Sequence, residues 1–483
     1  MLATASSQAA GRLALLRRLF LSFSLASLVL VGTAATLPSA ASAAEPGVNL
    51  LNLNVPSQEA AVSQLGTHWV RQFLVWPDLE PSRGVWAENW FAYYEGQFRN
   101  LPPGTKVILD VVGTPRWETG SADSHTPPAN PAEFGAFVAT VAKRFGPRVA
   151  AYEIWNEEDA PGWWAGGPDP AAYTRLLQAT YPQVKAAEPN ATVVLGGLTG
   201  NDFSFVEGVY QAGGKGSFDA VGVHTDTACN KLSPYTFLRG TDNRLITDSF
   251  LAYREVHAVM MANGDNKPIW MTELSWRTTE ATCAEGHWAG QTAAGVSEAQ
   301  QATYLSEAYH CMAQDPYVQV ALWFPIQDEG GLFNGLMRAN GSHKPSFDAM
   351  RSFATEGDKL TEPCGVFTGP TITVASPLNR VNYEGTMPIK VSATSSQGVF
   401  RIRLLIDGKL IRNYDGPSYP TKLSGEINWI GARYLSRGHH VLTFLAFDKM
   451  RNVSQVSVSV YHGKPSASHK VKRKSRRHGL RRH

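Results

Sequence analysis

Two glutamates stand where an apolar run stops. In "YEIWNEED" the β-favouring Tyr152, Ile154 and Trp155 lead straight into Asn156 and Glu157. In "PIWMTELSW" a similar run ends at Glu273. Arg71 in "WVRQFLVW", His224 at the end of "FDAVGVH", Trp323 in "ALWFP" and the loop residues Trp117 and Trp164 are the side chains that could serve them. Paired carboxyls supported by Arg, His, Asn and Trp suit hydrolysis of a glycosidic bond with retention of configuration. One carboxyl donates a proton to the leaving oxygen and the other, ionised, attacks the anomeric carbon from about 5–5.5 Å away. A neighbouring cation such as Arg71 favours the ionised form of one of them. The carboxyl farther from the cation, near an anion and aromatic walls, keeps its proton longer. The plainer alternative is that both glutamates are solvated strand ends, that Arg71 is a surface ion-pair residue, and that His224 and Trp323 are packing residues. Glu158 and Asp159 read as loop residues past the strand tip. Glu153 shares the side-chain parity of Glu157, so it is expected inside the fold and paired with a basic residue.

The elements that must carry these residues alternate. Between residues 47 and 325, eight β-type runs are expected: Val48–Val55, Trp69–Leu74, Lys106–Val112, Ala150–Asn156, Thr192–Gly197, Ala220–His224, Ile269–Thr272 and Gln319–Phe324. Most are short and apolar, as strands buried on both faces are. Helix-type segments separate them. Ala171–Ala187 is one, and Ser297–Ala313 is another, opened by a capping box at Ser297 with Gln300. Eight such units point to an α/β fold, a (β/α)8 TIM barrel, whose sites lie at the C-terminal ends of the strands. A doubly wound open sheet is the competing arrangement, but no G-x-G-x-x-G follows the first run, so its dinucleotide-binding form has no support.

With that frame, the chain resembles the clan A glycoside hydrolases, in pattern the family 39-like, cellulase-type bacterial enzymes. The resemblance rests on "WVRQFLVWPDLEPSRGVW", "VVGTPRW", "YEIWNEED", "DPAAYTRLLQATYPQVKAAEPNATVVLGG", "FDAVGVH", "KPIWMTELSW" and "WFPIQDEGGLFNGLMRANGSHKPSF". It implies that Glu157 is the acid/base, that Glu273 is the nucleophile, and that Asn156 binds the sugar 2-hydroxyl. Arg71, His224, Trp323, Trp117 and Trp164 are expected around the substrate. The chain departs from the family at one place. Where the family has Pro-Tyr after the strand-6 His, with the Tyr helping to hold the nucleophile, this chain has Thr225 and Asp226.

The rest of the 483 residues places this unit outside the cytoplasm. Arg12, Arg17 and Arg18 precede the apolar run Leu19–Gly32, and Ala41-Ser42-Ala43 forms an A-x-A cleavage pattern, so residues 1–43 read as a signal peptide. "RRLFL" also resembles the twin-arginine export motif, and an uncleaved anchor is the other alternative for this segment. Four cysteines fit an oxidising compartment and two disulfides. Of the three pairings, Cys229–Cys283 would join neighbouring loops at the barrel top, and Cys311–Cys364 would pin a linker to a barrel helix. The barrel is expected over 44–362, a linker over 363–370 and, from short alternating strands with an Asp407-Gly408 turn, an immunoglobulin-like β-sandwich over 371–463. Residues 464–483 hold nine Lys/Arg and no acid, a basic tail expected to be disordered. Removing these nine charges and the leader's three arginines from the net +3 leaves −9 for the body. The tail could therefore hold an acidic enzyme at an anionic wall polymer. A secreted monomer acting on a β-linked polysaccharide or oligosaccharide is expected, with no metal, no cofactor and no nucleic-acid partner. A catalytically silent glycan-binding wall protein and a transglycosylase are the rival readings.

Overall fold

The computed structural model describes residues 44–225, 232–240, 242, 244–247, 249–279, 295–365, 369–449 and 452–463. The leader, the basic tail, Asp226, Cys229 and Cys283 lie outside the described residues, and with them the expected Cys229–Cys283 bridge. No helix among the described residues is long and apolar enough to cross a membrane.

Eight parallel strands close into a barrel in chain order: β1 (Glu45–Asn49), β2 (Trp69–Val75), β3 (Lys106–Val112), β4 (Val149–Asn156), β5 (Thr192–Leu198), β6 (Ala220–Thr225), β7 (Ile269–Leu274) and β8 (Val318–Trp323). Seven lie within two residues of the sequence expectation. The first does not: β1 ends at Asn49 rather than running on to Val55. Closure occurs at Gly47, where a Cβ would stand 2.3 Å from Leu322 and 2.6 Å from Trp69. Beyond Asn49 the chain bends, Asn54 turns left-handed (φ 57°), and Pro56 opens the helix Pro56–Leu65. Leu50 and Leu53, which made the stretch look like a strand, pack on the core from this loop.

The expected helices form with their caps. Asp169 accepts from the N–H groups of Ala171 and Ala172 at the start of Pro170–Ala187, and Ser297 and Gln300 form the capping box of Glu298–Gln314. Inside the barrel, Trp69, Ile108, Ala151, Val194, Ala220, Trp270, Val320 and Leu322 make one apolar cluster. Such filling makes the barrel a packed core and leaves function to its mouth. The buried polar residues Arg71, Asp110, Glu153 and Thr272 follow two residues later on their strands, and Asn49 stands two residues after Gly47 on β1.

After the barrel, β9 (Thr371–Ser376), β10 (Val381–Tyr383), β11 (Met387–Thr394), β12 (Val399–Ile406), β13 (Lys409–Asp415), β14 (Lys422–Trp429), β15 (Gly438–Asp448) and β16 (Val453–His462) form two sheets, ordered β10-β16-β15-β12-β13 and β14-β11-β9. Residues of both sheets share one core, which makes this a β-sandwich. Asp407 (φ 49°) and Gly408 (φ 79°) form the tight turn between β12 and β13, as their dipeptide suggests. Cys311 and Cys364 form the expected disulfide, tying the chain before β9 to the helix Glu298–Gln314.

Candidate active site

The tip of β4 is not a regular strand. Trp155 and Glu157 both have left-handed backbones, with φ of 72° and 48°, a conformation that is uncommon for such residues and marks local strain. In a regular strand Asn156 and Glu157 would point to opposite faces. Here both reach the barrel mouth: Asn156 Oδ1 accepts from Arg71, and Glu157 Oε1 lies 2.9 Å from His224 Nδ1. Trp155 turns outward into the core, where its Nε1 donates to the Trp163 carbonyl. A comparable irregularity serves β7, whose register shifts against both β6 and β8. It lets consecutive residues face inward, with Thr272 bonded to Glu153 and Glu273 to Arg71.

Arg71 organises the site. Its guanidinium has five N–H donors and five acceptors surround it. Nε donates to Glu153 at 2.5 Å. Nη1 donates to Glu273 at 2.6 Å and to Asn49 at 3.0 Å. Nη2 donates to Asp110 and to Asn156, each at 2.8 Å. Burial disfavours its charge, but Glu153, Asp110 and Glu273 outweigh that and raise its pKa. Glu153 therefore has the buried basic partner expected for it. One guanidinium facing three carboxyls leaves negative charge in excess. The effect falls on Asp110, whose pKa is raised well above the usual range by burial, against the pull of Arg71 and with help from Glu153 and Glu273.

His224 stands between the two glutamates. Its Nε2 lies 3.7 Å from Glu273 Oε1. Burial lowers its pKa, so the ring is neutral at neutral pH. The ring fits because β5 carries glycine opposite: a Cβ at Gly197 would stand 2.0 Å from His224 Nε2. One ligating atom each of Glu157, His224 and Glu273 lie within 4.8 Å of one another. Such a trio could hold a cation in principle, but Glu273 Oε1 already carries the Arg71 guanidinium, and we assign no metal to it. Burial pushes the pKa of Glu273 up, while His224 and Arg71 pull it down and Glu157 adds to the rise. Both glutamates keep a solvent edge, 21% for the Glu157 side chain and 14% for Glu273.

The aromatic residues fall differently from expectation. Trp323 has no exposed surface; its Nε1 donates to the Asn334 carbonyl and its ring packs by Trp276, so it anchors the loop after β8 and offers no platform. Trp164 is likewise buried, edge-on to Trp155 and Tyr173. Its neighbour Trp163 is the half-buried ring, stacked on Phe73, which itself covers Arg71. Trp117 is half-buried, packs edge-on to Trp76 under Arg83 and donates to the Glu80 carbonyl. Glu158, read as a loop residue, is fully buried. Sequence reasoning missed Asp110 and Asn49; an acid inside the apolar "KVILDVV" was the available signal for the first. In place of the Pro-Tyr that the family resemblance would supply, Thr225 is buried beside the Glu273 backbone, and Arg71 is the described group that holds the Glu273 carboxylate.

No protein-family model and no curated protein matches this sequence. Solved structures do. A family 39 glycoside hydrolase from the gut symbiont Bacteroides cellulosilyticus matches with a TM-score of 0.51 at 18% identity, over 80% of this chain and 79% of that one. GH5_18 from Streptomyces cattleya, in complex with GlcNAc, matches with a TM-score of 0.50 at 16% identity, over 71% and 85%. This chain shares their fold. At such identities the likeness concerns architecture, and the chemistry has to be read from the site itself.

Proposed function

We propose that this protein is a secreted retaining glycoside hydrolase that cleaves a β-linked glycan by double displacement. The observation that carries the reading is the approach of Glu157 and Glu273, with oxygens inside a 4.8 Å cluster shared with His224. That spacing suits direct attack by one carboxylate, whereas an inverting pair stands about 6.5–9.5 Å apart to admit a water. Glu273, held by Arg71, attacks the anomeric carbon. Glu157 gives its proton to the departing oxygen as the glycosidic bond breaks, which leaves the sugar esterified to Glu273. Glu157, now ionised, takes a proton from water; the water oxygen bonds to the anomeric carbon and the ester breaks. With the proton of the neutral ring on Nδ1, His224 donates to Glu157 Oε1 and fixes the carboxyl, so the acid proton is carried on Oε2 and given from there to the departing oxygen. Asn156, with its Oδ1 fixed by Arg71, turns its amide donors toward a sugar hydroxyl. The Cys311–Cys364 disulfide supports an oxidising, extracytoplasmic setting.

The test is turnover of a panel of aryl β-glycosides and soluble β-glucans by wild type, Glu273→Gln and Glu157→Gln, with the anomer of the first product followed by NMR. Retention and near-complete loss in both variants are expected, since acid–base help alone contributes about 10²–10⁴-fold. Residual rates above about a tenth of wild type in both variants would contradict the assignment, given that magnitude. Glycan affinity with no turnover in wild type would favour a silent binding protein instead.

A further inference from the structure

Directly after Glu157 lies a carboxyl that double displacement does not use. Glu158 is fully buried, and neither of its oxygens has a hydrogen-bond partner among the described residues. Gly196 on β5 admits it. A Cβ there would stand 2.3 Å from Glu158 Oε2, 2.6 Å from the Trp155 carbonyl oxygen and 2.9 Å from the Ile154 carbonyl oxygen. One carboxyl oxygen thus shares a small space with two carbonyl oxygens. Such oxygens repel an anion and accept from a hydroxyl. The titratable groups that act most strongly on Glu158 are Asp159 and Glu153, both acids, which favour its protonated form, and the Tyr173 hydroxyl, which together with the Glu158 N–H stands near enough to oppose them. Tyr173 is occupied elsewhere, donating to the Ile154 carbonyl at 2.6 Å and accepting from the Gly196 N–H at 2.7 Å. No cation is among them. A buried charge without a partner is strongly disfavoured, and the group keeps its proton instead. Burial raises the pKa of Glu158 well above the ordinary value, and Asp159 adds to the rise.

The segment carrying this carboxyl is the strained one, with Trp155 and Glu157 left-handed on either side of Asn156. Charge placed behind it is relieved by displacing that segment. We propose that Glu158 is a positioning residue: uncharged, it lets the β4 tip hold Glu157 against His224, and its ionisation moves the tip and withdraws Glu157. The proposal rests on the reading of Glu157 as the acid/base. No covalent step is involved, and the released proton goes to solvent.

The sign follows from proton counting. The folded state holds a proton on Glu158 that the unfolded chain gives up near the ordinary carboxyl pKa, so stability from this group falls as pH rises above that value. Full-length wild type, Glu158→Gln and Glu158→Met are compared from about pH 5 to about pH 9, which spans ordinary and raised carboxyl values. Gln keeps the shape without the charge, and Met covers the case in which the amide does not fold. Three readouts are taken: Tm, kcat on an aryl β-glycoside, and the His224 imidazole resonance.

Wild-type Tm is expected to fall with pH relative to both variants. Wild-type kcat should drop on the alkaline side by up to about tenfold per pH unit, as for one essential protonated group, and this limb should move to higher pH in the variants. The His224 resonance should track the same titration in wild type and lose it in the variants. Parallel Tm curves in all three proteins would overturn the inference, whether or not the protein is a glycosidase. Diverging Tm curves with coincident alkaline limbs and an unaltered His224 titration would overturn the positioning role. Should none of the three proteins turn over any substrate, the proposed function fails by itself, and the Tm and His224 readouts still decide the role of Glu158.

Discussion

Replacing Gly197 by alanine tests whether the imidazole between the glutamates matters. The added Cβ would meet His224 Nε2 at 2.0 Å, whereas ordinary contact begins near 3.4 Å, so the ring must move by about 1.4 Å. It cannot retreat freely, because Nδ1 is 2.9 Å from Glu157 Oε1 and the ring is almost fully buried. A shift of that size takes the His224–Glu157 contact beyond hydrogen-bonding range. Overpacking of this kind costs about 1–3 kcal/mol of stability. Misplacing a catalytic group by about 1 Å costs about 10²-fold in rate. The expected outcome is therefore a folded protein with modestly lowered Tm and kcat down by about two orders of magnitude on an aryl β-glycoside. The double variant with His224→Ala separates steric displacement from other effects. If alanine acts through the imidazole, the double variant is no slower than His224→Ala alone. A Gly197→Ala rate within about threefold of wild type, where about 10²-fold is expected, or fully additive losses in the double variant, would refute the reasoning.

Other outcomes follow from the same contacts. Azide should partly restore activity to Glu157→Ala on an activated substrate, because a small anion replaces the water that Glu157 would activate, and it should not restore Glu273→Ala hydrolysis with retention. Arg71→Met should be strongly destabilised, by about 3–5 kcal/mol, because it strands the buried carboxyls of Asp110 and Glu153; chemical denaturation measures this. Asp159, pushed up to about 7 mainly by burial against the hydrogen bonds from Thr199, costs stability as pH rises from near 4 through about 7, and Asp159→Asn should flatten that part of a Tm–pH curve. Removing the Cys311–Cys364 bridge, which spans 53 residues, should lower stability by about 4 kcal/mol on chain entropy. Truncation of residues 464–483 should leave turnover of a small substrate unchanged and release the protein from isolated cell walls at low salt; equal retention of both forms would discard the tail as the anchor.

The strands, caps and turns were legible in the chain because their signals are local. A run such as "KVILDVV" has to be a buried strand wherever it is placed, Asp169 and Ser297 cap whatever helix follows them, and Asp407-Gly408 turns a hairpin by its own backbone preference. Glu157 and Glu273 were legible for the same reason, since each closes such a run and a barrel gathers those ends at one mouth. Tertiary structure decided the rest. Five acceptors from four strands meet Arg71, and no short stretch of sequence contains that convergence. Trp163 and Trp164 are adjacent and chemically alike, yet neighbours remote in sequence stack one on Phe73 and enclose the other with Trp155 and Tyr173. Trp323 became an anchor because Asn334 returns over it. Glu158 looks like a solvated loop acid until the left-handed turns at Trp155 and Glu157, with the space opened by Gly196, carry it inside. Secondary structure follows from residues within a turn or two of each other, whereas burial, charge state and contact are set by chain segments that only folding brings together.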